Sequence, residues 1–128
     1  MPEKINPAVL TTGIKNPEIM ILKEWGEFLS IDAAGKRDTK LTTSQIRKFF
    51  GEIKRIQADF ANCKEDIVLL HPKIAYAVGR ADGSSKIRDF YNLTSPLIFE
   101  IQEDKKKFKT FVTIIEAIVA YHKAAGGK

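Results

Sequence analysis

The chain has 128 residues, 44% of them hydrophobic and 29% charged, with one cysteine and a formal net charge of +5. This length and apolar fraction predict one domain over residues 1–128, and they exclude a multidomain enzyme and a disordered tail. Neither a membrane-spanning apolar stretch nor an export leader is evident, and the lone Cys63 can form no internal disulfide, so we expect a soluble protein of the reducing cytoplasm.

The N-terminal part of the chain predicts an irregular arm, a helix and a loop. Residues 1–15 contain two prolines and a Thr-Thr-Gly cluster, which indicate the arm. Asn16-Pro17-Glu18 then supplies an N-cap, a proline and an acid, which is typical of a helix start. Residues 32–40 contain Gly35 and five charged residues without apolar periodicity, and these features predict a loop. The apolar stripe of the helix consists of Ile19, Leu22, Trp25, Phe28 and Leu29.

A second helix is predicted from Thr42 to about Phe60, and it is strongly amphipathic. Thr42 and Gln45 fit a capping box at its start. At roughly 100° per residue, its apolar side chains fall within about 120° of one another. They are Ile46, Phe49, Phe50, Ile53, Ile56 and Phe60. The opposite side carries Arg47, Lys48, Lys54 and Arg55.

The C-terminal half predicts three more helices, two of which contain a proline. Pro72 either opens or kinks the first, and Pro96 either kinks or restarts the second, for which we favour a kink. The first of these helices is predicted from about Glu65 to Arg80 and ends at Ala81-Asp82-Gly83. The second is capped by Ser84 or Ser85 and reaches Ile101. The third is predicted from about Asp104 to Ala124 and ends at Gly126-Gly127. Because two-residue alternation is nowhere sustained, the predicted fold is an all-α bundle of about five helices.

The titratable residues form no recognisable catalytic pattern. His71 and His122 have no acidic neighbour at metal-ligand spacing, so we expect neither a metal ion nor another cofactor. Residues 79–86 lack the Gly-Lys-Ser/Thr order of a phosphate-binding loop and predict a turn. Glu116 lies in an apolar run, and this position has three interpretations. Glu116 is a buried general acid, a partner in an interhelical salt bridge or a solvent-facing residue at the edge of the apolar stripe. The last two interpretations of Glu116 are favoured. For His122, a packing role or a hydrogen bond donated to a helix end is favoured over a general base.

The basic face of the second helix is the main candidate binding surface. Residues 36–55 contain seven basic and two acidic side chains, so they carry the whole net charge. Gly51 lies within this face, where glycine costs about 1 kcal/mol relative to alanine unless another backbone or a ligand approaches closely. Basic side chains around a bare patch suit a phosphate backbone, although a charged face is also the ordinary solvated side of a helix. The aromatic residues available to stack on bases, if they are not core or interface residues, are Tyr76, Tyr91 and Tyr121.

Three segments, in this order and spacing, resemble the small helical subunit of the type III-A CRISPR effector, the Csm complex. They are Leu41–Phe50 (LTTSQIRKFF), Lys73–Arg80 (KIAYAVGR) and Ile115–Gly127 (IEAIVAYHKAAGG). Within them, Arg47 and Lys48 follow a T-T-S-x-[IL]-R pattern, and Tyr121 follows an E-A-[IL]-V-A-Y pattern. Four residues fall on a K-x-x-Y-x-x-G-R pattern, namely Lys73, Tyr76, Gly79 and Arg80.

The resemblance implies a helical subunit of an antiviral ribonucleoprotein with no active site of its own. Several copies would self-associate along the filament, beside the backbone subunits and the large polymerase-like subunit. Basic surface residues would hold the CRISPR RNA and its complementary target RNA, while RNA cleavage and cyclic oligoadenylate synthesis belong to the partners. From side-chain chemistry we expect structural roles for Glu116 and Tyr121. The residues expected to contact phosphates are Arg47, Lys48, Lys54, Arg55, Lys73 and Arg80.

Two other functions stay open at this point. One is a protein-only adaptor whose basic face meets an acidic partner, with no direct role in nucleic-acid binding. The other is a small hydrolase that uses Glu116 and His122. Association with a protein partner after nuclease treatment would favour the first, and turnover lost in Glu116→Gln would favour the second.

Overall fold

The computed structural model describes residues 2–31, 41–81 and 85–126, with the backbone alone for residues 41–43. These residues form seven α-helices, one short 3-10 helix and no strand, so the all-α prediction is confirmed. The α-helices are α1 (Val9–Thr12), α2 (Asn16–Leu29), α3 (Leu41–Ala58), α4 (Phe60–Cys63), α5 (Leu70–Arg80), α6 (Ile87–Ile101) and α7 (Lys105–Ala124). Their number exceeds the expected five because α1 and α4 are single turns of 4 residues.

The N-terminal segment, predicted as an irregular arm, contains α1 and packs against the rest of the molecule. Ile5, Val9 and Leu10 are all buried in the hydrophobic core. The indole nitrogen Nε1 of Trp25, on α2, donates a hydrogen bond to the carbonyl oxygen of Glu3 at 2.7 Å. Burial of three aliphatic side chains and this hydrogen bond offset the conformational entropy lost when the segment becomes ordered.

The helix starts are fixed by local hydrogen bonds. The backbone N–H of Lys15 donates to Glu18 Oε1 at 2.7 Å, so Lys15 precedes α2 and the predicted N-cap at Asn16 is wrong by one residue. At α7, Asp104 is the N-cap, and its carboxylate accepts the backbone N–H of Lys107 at 2.9 Å. Both carboxylates satisfy amides that the first turn of a helix leaves without an intrahelical partner.

The two prolines in the C-terminal half act differently. Pro72 lies in the first turn of α5, where its missing N–H costs no intrahelical bond, so it opens this helix. The predicted start near Glu65 is wrong, because Lys64–Asp66 forms a separate 3-10 helix. α6 continues through Pro96 without a break, which excludes a restart, the less favoured of the two alternatives for this proline.

The buried side chains of the described residues form one hydrophobic cluster, to which α2 and α7 contribute the most extensive helix pair. Their close approach depends on Gly26, because a Cβ atom placed there would lie 2.5 Å from Tyr121 Cβ and 2.7 Å from the backbone nitrogen of His122. The predicted apolar stripe of α3 faces the same cluster. Its buried members are Ile46, Phe49, Ile53 and Ile56, and Phe50 is half-buried. The predicted last member, Phe60, is also half-buried, but it begins α4, because α3 ends at Ala58.

Several predicted features fall outside the described residues. These are the loop at residues 32–40, the capping side chain of Thr42, the stop at Asp82-Gly83, the cap at Ser84 and the final Gly127. The alternative cap, Ser85, is described, and its hydroxyl accepts the backbone N–H of Ile87 at 3.2 Å. Among the described helices, none combines the length and apolar character needed to cross a bilayer.

Candidate nucleic-acid interface

A groove of about 370 Å³ lies between α3 and α5. Each wall is one face of a helix, because most of its residues recur at three- or four-residue spacing. The residues from α3 are Gln45, Lys48, Phe49 and Glu52. Those from α5 are Pro72, Lys73, Ile74, Tyr76, Ala77 and Arg80. Phe49, Ile74 and Ala77 are buried, so the groove has an apolar floor and a polar rim.

The rim of the groove is positively charged. Three of the six residues predicted to contact phosphates line it, namely Lys48, Lys73 and Arg80, against the single carboxylate of Glu52. Within the described parts of the chain, neither Lys48 nor Arg80 has an ion-pair partner. These two cations are therefore available to an external anion.

Glu52 is the centre of an ion-pair network that joins the two walls. Its Oε2 atom accepts hydrogen bonds from Lys73 Nζ at 2.8 Å and from Arg55 Nη2 at 3.2 Å. The hydrogen bond from Lys73, and secondarily that from Arg55, lowers the pKa of Glu52 below its ordinary value. Glu52 is consequently ionised at neutral pH and compensates part of the positive charge in the groove.

Arg55, also predicted to bind phosphate, points to the protein's own carboxylates. Besides Glu52, its Nη2 atom contacts Asp66 Oδ2 at 3.2 Å. The hydrogen bonds to Asp66 and then to Glu52 raise the pKa of the guanidinium further above its already high ordinary value. Arg55 does not line the groove, and two carboxylates share its charge.

The remaining two predicted residues lie on the outer face of α3. Lys54 Nζ is 3.8 Å from Glu116 Oε2 and thus links α3 to α7. The Glu116 side chain is 60% exposed, so its interpretation as a buried general acid is wrong and that as a salt-bridge partner is confirmed. Arg47 is exposed and has no ion-pair partner among the described residues.

The same outer face contains Gly51, which is exposed. A Cβ atom built on it would meet no other atom within 4 Å. Packing within the described chain therefore gives no reason for a glycine here, in contrast to Gly26 between α2 and α7. The remaining explanation from the sequence, close approach by a ligand or another molecule, stays a prediction.

The three tyrosines considered for base stacking differ in exposure. Tyr76 is 69% exposed at the groove, and its ring centroid lies 5.6 Å from Cζ of Arg80. Tyr91 is half-buried with its ring centroid 5.2 Å from that of His71, and Tyr121 is half-buried against the core. Only Tyr76 of these three presents a largely free ring at the basic groove.

The two histidines lie in different surroundings. His71 Nε2 lies 3.0 Å from the hydroxyl of Ser95, and the His71 ring packs on Phe99 with centroids 4.6 Å apart. His122 is buried at 4% exposure, whereas Glu116 faces solvent, so the two residues do not share a site. The described residues also contain no group of three or more His, Cys, Asp or Glu side chains placed to hold a metal ion.

The groove itself was not predicted from the sequence. Gln45, Glu52 and Pro72, which line it, were not predicted to be site residues, although the helical spacing of residues 45, 48, 49 and 52 was a usable signal. Residues 73, 76, 77 and 80 show the same spacing on α5. What the sequence did not contain was the pairing of these two faces, which depends on the packing of separate helices.

Comparison with known protein families finds a match. The family model described as Csm2 Type III-A matches residues 29–128. The match therefore includes both walls of the groove and begins at the last residue of α2. No curated protein and no solved structure matches the chain.

Proposed function

The chain belongs to the Csm2 family, the small subunit of the type III-A CRISPR-Cas Csm complex, and from this membership we propose that it binds RNA without catalysing a reaction. In this proposal it holds the CRISPR RNA and its target RNA through backbone contacts that are independent of sequence. It acts in the cytoplasm, together with other Csm subunits and further copies of itself. RNA contacts from several such copies would stabilise the ribonucleoprotein along its length.

The observation that carries the proposal is the cationic rim of the groove between α3 and α5. Lys48 and Arg80 are free of carboxylate partners in the described chain, and Lys73 lies beside them with its charge shared with Glu52. Lysine and arginine neutralise phosphates whatever the base sequence, which is the recognition that such a subunit needs. Arg47 extends the basic surface beyond the groove along the outer face of α3.

The paired cations have a secondary role in this proposal. Lys54 and Arg55 lie at ion pairs that are 32–60% exposed, and exposed pairs contribute only about 0–1 kcal/mol. An RNA phosphate can therefore compete with their carboxylate partners at little cost. We expect these residues to add to affinity less than Lys48 and Arg80 do.

Fluorescence anisotropy with RNA of about 30 nucleotides over a salt series tests the proposal. We expect binding to weaken steeply with salt and to be insensitive to base sequence. The double variant Lys48→Glu/Arg80→Glu should lower affinity by at least roughly ten-fold and reduce the magnitude of the salt slope by about two. Unchanged affinity in a variant with wild-type helicity and melting temperature would overturn the proposal.

The matched control is Lys105→Glu/Lys109→Glu, which makes the same change in net charge on exposed residues of α7. Both positions are outside the groove, and at Lys105, in the first turn of α7, negative charge favours the helix. We expect this control to lower RNA affinity much less than the groove variant. Equal losses in the two variants would show that only total charge matters.

A second function, as a protein adaptor, has support from one surface feature. Val68, Leu69 and Phe99 are 48–54% exposed, and Phe99 is connected to the α5 start through its contact with His71. Exposed apolar groups of this kind are typical of protein contacts. If the protein co-purifies with another Csm subunit after nuclease treatment, and the wild-type protein binds no RNA at low salt, the adaptor function replaces the RNA function.

A further inference from the structure

We propose that the groove between α3 and α5 is a subsite for one unpaired nucleotide of single-stranded RNA, with its base stacked on Tyr76. The phosphates on either side of that nucleotide would contact Lys48, Lys73 and Arg80. This inference rests on the proposed RNA-binding function and adds to it the state of the RNA. It also assigns to Tyr76 the stacking of a base, a contact that the basic side chains do not make.

The exposure of Tyr76 is the first argument. The Tyr76 side chain is 69% exposed, more than any other large apolar side chain in the described residues. The other two tyrosines, Tyr91 and Tyr121, are both half-buried. Phenol rings are normally used to bury area or to contact a partner. A ring left in solvent on a helix, at the edge of a groove, is available for a planar ligand.

The side chains around the ring are the second argument. Arg80 lies one turn after Tyr76 and Lys73 lies one turn before it, so the ring is flanked by a cation on each side along α5. The two flanking residues are roughly 10 Å apart along the helix axis, and their long side chains can reach the two phosphates of one nucleotide. The guanidinium of Arg80 at 5.6 Å from the ring centroid also limits the orientation of the ring.

The size of the groove and the exposed ring at its edge indicate the kind of nucleic acid. A groove of about 370 Å³ is at the small end of the range for ligand sites and suits one base with its sugar. In a duplex the faces of the bases are covered by their stacked neighbours, so an aromatic side chain cannot reach them. Positively charged grooves with exposed aromatic rings are typical of single-strand binding, where each stacked base contributes about 1–3 kcal/mol.

An acidic peptide is the competing ligand for a basic groove. Its carboxylates would use Lys48, Lys73 and Arg80, yet they would not use the face of the Tyr76 ring that Arg80 leaves open. The combination of cations with an exposed ring at the same groove therefore favours RNA. A peptide remains a defined outcome of the experiment below.

The test is fluorescence anisotropy of the full chain with single-stranded RNA, with a duplex and with single-stranded RNA that contains abasic sites. We expect Tyr76→Ala to weaken binding to single-stranded RNA by roughly 5-fold to 140-fold. Tyr76→Phe should retain wild-type affinity, because the stacking face is unchanged. Tyr76→Ala should not alter affinity for the duplex, and the wild type should bind abasic RNA as weakly as Tyr76→Ala binds intact RNA.

The matched control is Phe99→Ala, which removes another exposed aromatic ring outside the groove and should leave RNA affinity unchanged. If Lys48→Glu/Arg80→Glu loses RNA binding but Tyr76→Ala does not, stacking is overturned while the proposed function stands. If neither variant loses RNA binding, the proposed function fails as well. Binding of poly-glutamate in place of RNA, with loss in Lys48→Glu/Arg80→Glu and no loss in Tyr76→Ala, would assign the groove to an acidic peptide and overturn the inference.

Discussion

At the scale of single residues, two helical glycines that look alike in the sequence have opposite surroundings. Gly26 lies at the contact between α2 and α7, where any Cβ atom would overlap Tyr121. Gly51 lies on the open face of α3 with nothing within 4 Å of a Cβ position. The sequence drew attention to Gly51 because it interrupts a basic face, whereas the glycine required for packing is Gly26.

We predict that Gly26→Ala destabilises the protein by about 1–3 kcal/mol, because a Cβ atom 2.5 Å from Tyr121 Cβ forces α2 and α7 apart. Urea denaturation followed by circular dichroism measures the effect. The matched control is Gly51→Ala, which should raise stability by about 0.5–1 kcal/mol, since it replaces glycine in an exposed helix interior. A Gly26→Ala variant as stable as the wild type would contradict the close packing of the two helices.

At the scale of elements, α3 and α5 are joined by an ion pair that also sets the charge of the groove between them. Glu52 on α3 holds Lys73 on α5 at 2.8 Å and Arg55 at 3.2 Å. These hydrogen bonds lower the pKa of Glu52, so its carboxylate is negatively charged when RNA binding is measured near neutral pH. The same carboxylate thus connects two helices and opposes an incoming phosphate.

We predict that Glu52→Gln strengthens RNA binding by about five-fold at low salt. Removing one unit of negative charge near a phosphate is worth about 1 kcal/mol in water, and the substitution also releases Lys73 and Arg55. Anisotropy titrations of the two proteins at equal salt measure the change. We expect a loss of stability no larger than about 1 kcal/mol, because the pairs are partly exposed.

The matched control for this prediction is Glu116→Gln, which removes the same charge from the α3–α7 pair outside the groove. It frees Lys54 and should increase RNA affinity less than Glu52→Gln does. An equal gain in both variants would indicate a response to net charge alone. A decrease in affinity on Glu52→Gln would mean that Glu52 positions Lys73 for RNA and does not repel it.

At the scale of the whole molecule, the hydrophobic core includes segments that the family match leaves out. The match begins at residue 29, yet α1 and α2 contribute Leu10, Leu22 and Trp25 to the same buried cluster as the matched helices. The hydrogen bond from Trp25 to Glu3 ties the N-terminal segment to α2. The charged groove therefore lies on a core to which residues on both sides of the match boundary contribute.

We predict that Leu10→Ala destabilises the protein by about 2–5 kcal/mol, as expected for a leucine with 0% exposure. Thermal and urea unfolding give the difference, and both should show a single cooperative transition. The control is Met20→Ala on α2, at 56% exposure, which should change stability by no more than about 0.5 kcal/mol. A Leu10→Ala protein with wild-type stability would mean that residues before α2 do not contribute to the core.

The sequence by itself determined the features that depend on neighbouring residues. Apolar side chains at three- and four-residue spacing predicted the five long helices, and the basic face of α3 followed from the same periodicity. Asp104 was correctly placed at the start of the last helix, because capping involves residues within one turn. The three segments that resemble the Csm small subunit all lie within the part of the chain that the family model matches.

Only the tertiary structure decided which helical faces meet. Lys48 and Glu52 lie opposite Lys73, Tyr76 and Arg80 because α3 and α5 pack together, and no local pattern specifies that pairing. The requirement for glycine at position 26 was likewise not evident from the sequence. Helices form through contacts one turn apart, whereas a groove depends on contacts between residues more than 20 positions apart, such as Glu52 and Lys73.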